Sequence, residues 1–98
     1  MKIDPIQLDL SAHCIETETK KIYNRLISKY FKVKDGREKI ENKIEILKYV
    51  LEKFDFQKLR SKYPELSGGE SSQVLIFCDE KECPVIQING KRISAVFI

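Results

Sequence analysis

The three cysteines and the single histidine are the first candidates for chemistry in this sequence. Cys78 and Cys83 flank a short acidic segment, and His13 directly precedes Cys14, so a nominal Cys3His ligand set for zinc can be drawn. The Cys-x4-Cys spacing differs from the shorter spacing of zinc knuckles, and adjacent side chains on a helix point about 100° apart. Cysteine is also among the most frequently buried residue types. We therefore predict no metal and no cofactor, with a thiol or zinc site at Cys78 and Cys83 as a further alternative.

The presence of only one histidine limits the proposals for an enzyme. A relay of Ser11, His13 and Asp9 would lie within five consecutive residues, and no arrangement of oxyanion donors accompanies it. The acidic residues are spread over predicted helix surfaces and one turn, so no pair of carboxylates is set apart for acid–base work. We predict no catalytic residues and favour a protein without catalysis, while the sequence leaves enzymatic activity open.

A run of positive charge is the clearest electrostatic feature. Six cations and no acid lie in the segment 20–34, namely Lys20, Lys21, Arg25, Lys29, Lys32 and Lys34. At helical spacing, four of them form one stripe, here called the basic ridge: Lys21, Arg25, Lys29 and Lys32. Such a stripe predicts salt-sensitive contacts with nucleic-acid phosphates, and the alternative is an ordinary solvated helix face. Tyr30 and Phe31 fall on the apolar half of the same helix, so we expect them in the core.

One short segment carries a resemblance to a known class of proteins. Residues 66–70, Leu-Ser-Gly-Gly-Glu, resemble the signature motif of ABC-type and SMC-type ATPases. The sequence contains no Gly-x-x-x-x-Gly-Lys-Ser/Thr loop to hold a phosphate, and a strand pattern follows where those families have a helix. We therefore predict a turn at this segment and assign it no functional residues.

The elements that must position these residues follow from periodicity and from turn residues. We predict a strand over 5–10, a helix over 12–32, a second helix over 36–54, a short helix over 56–62, a linker over 64–72 and a β-meander over 73–98. Ser11, Asp35 and Asp55 are the predicted N-caps of the three helices. The chain is then a single α+β domain in which a helical hairpin covers one face of a C-terminal, three-stranded antiparallel sheet, and the first strand is a candidate fourth member.

The register of the meander decides which residues face the helices. Asn89-Gly90 indicates a type I′ turn, which places Ile86 opposite Ile93. A four-residue loop over 79–82 would place Cys78 opposite Cys83. One face would then be the core, with Leu75, Phe77, Ile86, Ile88, Ile93, Ala95 and Phe97. The other face is also apolar and is the predicted partner-binding surface, with Val74, Ile76, Val85, Val96 and Ile98.

Composition and length place these features in an ordinary globular protein. The chain has 98 residues, of which 42% are hydrophobic and 34% charged, and its net charge is +3. No secretion signal and no membrane-spanning run is visible, so we expect a cytoplasmic protein without a membrane partner. We predict a small, non-catalytic protein-interaction module, either a homodimer or a subunit that uses the second sheet face. The alternative partner is nucleic acid, bound electrostatically by the basic ridge.

Overall fold

The computed structural model describes residues 4–11, 13–67 and 73–94. Along the chain, the elements within these ranges are β1 (Ile6–Asp9), α1 (Ile15–Lys32), α2 (Arg37–Lys53), α3 (Phe56–Lys62), a 3-10 turn (Pro64–Ser67), β2 (Gln73–Cys78), β3 (Pro84–Ile88) and β4 (Lys91–Ser94). The strands form one antiparallel sheet in the order β1-β2-β3-β4. The predicted α+β class and the order of strand, helical hairpin and C-terminal strands are therefore confirmed.

The first helix begins later than its sequence pattern indicates. Its N-cap is Cys14, so the prediction of Ser11 is wrong. The Asp9 carboxylate accepts a hydrogen bond from the backbone N–H of Ser11 at 3.0 Å. This side-chain turn holds Ser11 outside the helix, because aspartate readily bonds the backbone two residues ahead. Ala12, the predicted first helical residue, lies outside the described residues.

The connection between α1 and α2 also differs from its prediction. Gly36, and not Asp35, precedes α2, with a φ of 75° and no side-chain cap. Glycine enters the left-handed region without the penalty that a Cβ brings. The chain therefore reverses direction at Gly36, and α2 returns antiparallel along α1.

The third helix confirms its predicted cap, whereas the segment after it is not a linker throughout. The Asp55 side chain accepts a hydrogen bond from the backbone N–H of Lys58 at 3.1 Å. Pro64–Ser67 then form the 3-10 turn, and Leu66 within it is fully buried in the core. The linker predicted over 64–72 is therefore wrong for 64–67, because burial of Leu66 fixes that turn to the domain. Residues 68–72 lie outside the described residues.

The turn between β3 and β4 has the predicted type. Asn89 and Gly90 have φ values of 48° and 88°, as a type I′ turn requires. Ile86 lies opposite Ile93, and Ile88 lies opposite Lys91. The register of this hairpin is therefore confirmed.

The register of β2 against β3 is one residue away from the prediction. Cys78 lies opposite Pro84 and not opposite Cys83. The Asp79 side chain accepts hydrogen bonds from the backbone N–H groups of Lys81 and Cys83, each at 2.9 Å. Glu82 adopts a positive φ of 61°. These contacts make a loop of three residues, 80–82, where we expected four. The left-handed Glu82 agrees with this length, because a left-handed residue is typical after the turn of a three-residue hairpin.

This shift exchanges the two faces of β2, because neighbouring strand residues point to opposite sides. Val74 and Ile76 lie in the core, and the predicted core residues Leu75 and Phe77 lie on the outer face. Helix α2 packs over β2 and β3, while α1 contacts β1. The core combines Ile6 and Leu8 of β1 and Ile15 of α1 with Ile46, Leu47, Val50, Phe54, Phe56, Leu59, Leu66, Val74, Ile76, Ile86, Ile88 and Ile93. Ala95 and Phe97, also predicted for the core, lie outside the described residues.

The helical hairpin includes a long segment without buried residues. Every residue of 20–45 is described, and none of them is buried. We call this segment, the C-terminal part of α1 with the N-terminal part of α2, the helical arm. None of the described helices combines the length and the apolar content needed to cross a membrane.

Candidate nucleic-acid interface

The four side chains of the basic ridge are all exposed on α1. None of them forms a salt bridge with a described residue. The neighbouring Lys20 does, with 3.7 Å between its Nζ and Glu16 Oε2. The ridge runs from Lys21 to Lys32, which is about 16 Å along a helix that rises about 1.5 Å per residue. The four cations are therefore not ion-paired within the described part of the chain, and they produce a positive potential along one side of the arm.

Phe31 is an exposed aromatic side chain at the end of this ridge. Its exposed fraction is 76%, so the prediction that it belongs to the core is wrong. The helical pattern placed it on the apolar half, but the arm has no buried residue at this level. Phe31 directly precedes Lys32 and is about 100° from it around the helix axis. A large apolar ring therefore lies beside cations.

Two contacts hold the ring of Tyr30 and thereby support Phe31. The rings of Tyr30 and Phe31 meet edge to face, with 5.5 Å between their centroids and 84° between their planes. The Arg37 guanidinium lies 5.5 Å from the Tyr30 centroid, and Arg37 Nε donates a hydrogen bond to the Val33 carbonyl at 2.7 Å. The tip of the arm is thus internally bonded, while the Phe31 side chain stays 76% exposed.

The other end of the ridge opens into a polar cleft at the base of the arm, where α1 passes the edge strand β1. Its volume is about 290 Å³. The cleft is lined by Gln7, Asp9, His13, Glu18, Lys21, Ile22 and Arg25. Sequence reasoning missed this cleft as a group, although Glu18, Lys21 and Arg25 share one helical stripe at spacings of three and four.

His13 and Glu18 form the closest polar pair in the cleft. His13 Nδ1 lies 2.9 Å from Glu18 Oε1, and the Glu18 side chain is 9% exposed. Because a carboxylate only accepts hydrogen bonds, Nδ1 donates and carries a proton. The ring orientation is therefore fixed by a buried partner, as in many sites where a carboxylate positions a histidine.

Cys14 lies next to this pair in sequence, but its thiol contacts other residues. Its Sγ is 3.4 Å from Thr17 Oγ1 and 4.0 Å from Arg60 Nη1. Burial alone raises the pKa of the Cys14 thiol, but hydrogen bonds at Thr17 and Glu16 and the positive charge of Arg60 outweigh it. The net pKa of Cys14 therefore lies below its ordinary value, which favours the thiolate.

Cys78 and Cys83 do not lie directly opposite each other in the first β-hairpin, contrary to the prediction. Cys78 is half-buried, and burial raises its pKa. Cys83 is exposed, and its Sγ donates to the Lys81 carbonyl at 3.7 Å. Within 4–11, 13–67 and 73–94, no three His, Cys, Asp or Glu side chains form a group that could hold a metal ion.

The outer sheet face holds only part of the predicted partner-binding surface. Val74 and Ile76 are fully buried in the core and do not belong to the outer face. Val85 belongs to the outer face together with Leu75 and Phe77. The Arg92 guanidinium lies 5.3 Å from the centroid of Phe77, whose ring is half-buried. Val96 and Ile98 lie outside the described residues.

Comparison with known proteins places the arm and the cleft in a shared segment. A protein-family model matches residues 4–87, which run from before β1 into β3. Over 57 residues, the chain is 44% identical to an uncharacterized protein of Archaeoglobus fulgidus, with 56% of this chain and 67% of that protein covered. No solved structure matches the chain significantly.

Proposed function

Because the chain belongs to the family whose model matches residues 4–87, we propose a function that uses the helical arm within that span. The arm binds single-stranded nucleic acid, with the backbone along the basic ridge and a base stacked on Phe31. The observation that carries this proposal is the 76% exposure of Phe31 beside cations that have no described ion-pair partner.

The basic ridge supports the electrostatic part of the proposal. Exposed lysines and arginines bind phosphates with release of counterions, so affinity falls as salt rises. No acid lies between Lys20 and Lys34, so the nearest carboxylates at the Lys21 end of the ridge are those of Asp9 and Glu18 in the cleft. Lysine predominates over arginine here, which favours contact with the backbone over readout of base edges.

Phe31 supports a single strand as the ligand. A base has a flat apolar face that stacks on an exposed aromatic ring, and this contact is largely independent of sequence. In a duplex, those faces are already stacked on each other. Despite its T-shaped contact with Tyr30, the Phe31 side chain is 76% exposed, so much of the ring is accessible to a base.

The test is a fluorescence anisotropy titration with a labelled single strand of about 12 nucleotides, at salt concentrations between about 50 and 200 mM. With four phosphate contacts, the slope of log K against log salt should approach about −3. Lys29→Gln should weaken binding and reduce the magnitude of the slope by about 0.7. The matched control is Lys48→Gln, which removes an exposed lysine from α2 and should leave affinity and slope unchanged.

Two results would contradict the proposal. One is failure to bind at about 50 mM salt, where phosphate contacts are strongest. The other is an equal loss of affinity in Lys29→Gln and Lys48→Gln, because general positive charge would then explain the binding and the ridge would have no special part.

A second candidate function is protein interaction, either self-association or binding as a subunit, through the outer sheet face. It is favoured by Leu75 and Phe77, two large apolar side chains that are half-buried on the face opposite the helices. Apolar residues grouped on an otherwise polar surface often mark a partner site. Val85 is part of the same face, but with 3% exposure it supplies little surface itself.

Light scattering after size-exclusion chromatography tests this second function. A dimer at micromolar concentration that dissociates in a Leu75→Gln, Phe77→Gln double variant would support it. A strict monomer at micromolar concentration would exclude the homodimer. The matched control is Tyr49→Gln on α2, an exposed aromatic residue far from the sheet face in sequence.

A further inference from the structure

In the cleft at the base of the arm, two cations have no ion-pair partner among the described residues, and each of two carboxylates already accepts one hydrogen bond. Glu18 accepts from His13 Nδ1. The Asp9 carboxylate accepts from the backbone N–H of Ser11 at 3.0 Å, and this bond lowers the pKa of Asp9, so the carboxylate stays ionised and bonded. The ammonium of Lys21 and the guanidinium of Arg25 line the same cleft, and a ligand for these donors must offer acceptors.

Lys21 and Arg25 supply those donors, and His13 would add a third, through Nε2, in its doubly protonated form. His13 is 45% exposed, and no described residue bonds to its Nε2. Lys21 and Arg25 follow one turn apart on α1, and neither is ion-paired with a described residue. The two cations equal in number the carboxylates of Asp9 and Glu18, each of which already accepts a hydrogen bond within the chain. An anion with several oxygens matches this set, since guanidinium and imidazolium groups bond phosphate oxygens strongly.

We propose that this cleft binds a phosphate monoester, namely the terminal phosphate of a nucleic-acid strand whose backbone lies along the basic ridge. The proposal rests on the proposed function for its ligand, but the phosphate site itself is separate from Phe31. A strand that follows α1 toward its N-terminus reaches the cleft after Lys21, where Gln7 and Asp9 of β1 form the opposite wall. A terminal phosphate carries up to two negative charges and an extra oxygen, whereas an internal phosphodiester carries one charge.

The single histidine makes the first experiment specific. The imidazole resonances of His13 are recorded by NMR while inorganic phosphate, adenosine 5′-monophosphate or adenosine is added to the full chain. We expect saturable shifts with phosphate and with the monophosphate, and none with adenosine. Lys21→Gln should weaken the response about tenfold, as expected for loss of a charge-assisted bond. Lys48→Gln is the control and should leave the response unchanged.

The second experiment distinguishes a strand end from a free phosphate. Strands of one sequence with a 5′-phosphate, a 3′-phosphate or hydroxyl ends are compared by anisotropy. One phosphorylated end should bind about tenfold more tightly than the hydroxyl strand. His13→Gln should abolish that difference and leave binding of the hydroxyl strand unchanged. The glutamine amide of this variant can still donate to Glu18. If His13→Gln does not fold, the Lys21→Gln titration tests the phosphate site instead.

The outcomes separate the two proposals. Equal affinity of all three strands, with His13 resonances that do not respond to phosphate, overturns the phosphate site even if the ridge binds nucleic acid. A His13 response to phosphate without binding of any strand leaves the site in place for a free phosphate monoester and overturns the strand end as its ligand. In that second case the proposed function fails as well.

Discussion

The side-chain oxygen of Asn89 accepts a hydrogen bond from the backbone N–H of Gln73 at 2.9 Å, and the backbone N–H of Asn89 donates to the Gln73 carbonyl at 2.8 Å. This pair continues the ladder in which Val74 lies opposite Ile88. A turn residue between β3 and β4 therefore also fixes the beginning of β2. Together with the loop at Asp79, it determines which face of β2 the helices cover.

The first prediction tests that register with two neighbouring residues. Val74 is fully buried, whereas Leu75 is half-buried on the outer face. Val74→Ala should lower the free energy of unfolding by about 2 kcal/mol, because it leaves a cavity in the core. Leu75→Ala should cost clearly less, although leucine loses more atoms. Urea denaturation measures both, and a larger loss for Leu75→Ala would contradict the observed pairing.

The second prediction concerns the 3-10 turn after α3. Leu66→Ala should lower the free energy of unfolding by about 2–5 kcal/mol, since a fully buried leucine is truncated. If residues 64–67 formed a flexible linker, Leu66→Ala would leave the free energy of unfolding almost unchanged. Circular dichroism during thermal unfolding measures the difference. Gln57→Ala, at an exposed position of α3, serves as the control and should have little effect.

The third prediction concerns the reactivity of thiols. Because its pKa is lowered, Cys14 has more thiolate at neutral pH than Cys78, whose pKa is raised by burial. Iodoacetamide near neutral pH should therefore modify Cys14 before Cys78, as mass spectrometry of peptides would show. Arg60→Gln removes a nearby positive charge and should slow modification of Cys14. An unchanged rate in Arg60→Gln would show that this charge does not control the thiol.

The fourth prediction separates binding from stability at Phe31. Phe31→Ala should weaken binding of a single strand by about 1–3 kcal/mol, the usual contribution of one stacked base. The free energy of unfolding should change by about 0.5 kcal/mol or less, because the ring is exposed. Phe31→Trp should retain the binding, since indole also stacks. Equal binding by the wild type and Phe31→Ala would remove the aromatic part of the interface.

Local signals in the sequence predicted those parts of the fold that depend on adjacent residues. Asn89-Gly90 sets a two-residue turn by its own backbone preference, and Asp55 caps α3 within three residues. The Asp79 loop differs because its length depends on hydrogen bonds from one carboxylate and on the left-handed conformation of Glu82. An aspartate at the start of a loop is the signal that could have indicated the shorter turn.

The candidate site was only partly predictable for a different reason. The basic ridge follows from helical spacing, and its side chains are exposed as expected. The exposure of Phe31 depends on where the core ends, and periodicity within one helix carries no information about that limit. The cleft requires α1 to pass beside β1, which only tertiary packing determines. The contact between His13 and Glu18 was therefore not predicted, and it is seen only in the folded chain.

The place of β1 at the edge of the sheet has a consequence for the order of folding. In the sequence, its ladder partner β2 follows the three described helices. The pairing of β1 with β2 therefore closes most of the chain into one loop. Contacts at such large separation form late, because chain entropy opposes them until local structure exists. On a ribosome, the helical hairpin is complete before β2 has been synthesised. We therefore expect the arm to acquire its shape first, and the wall that β1 contributes to the cleft to form last.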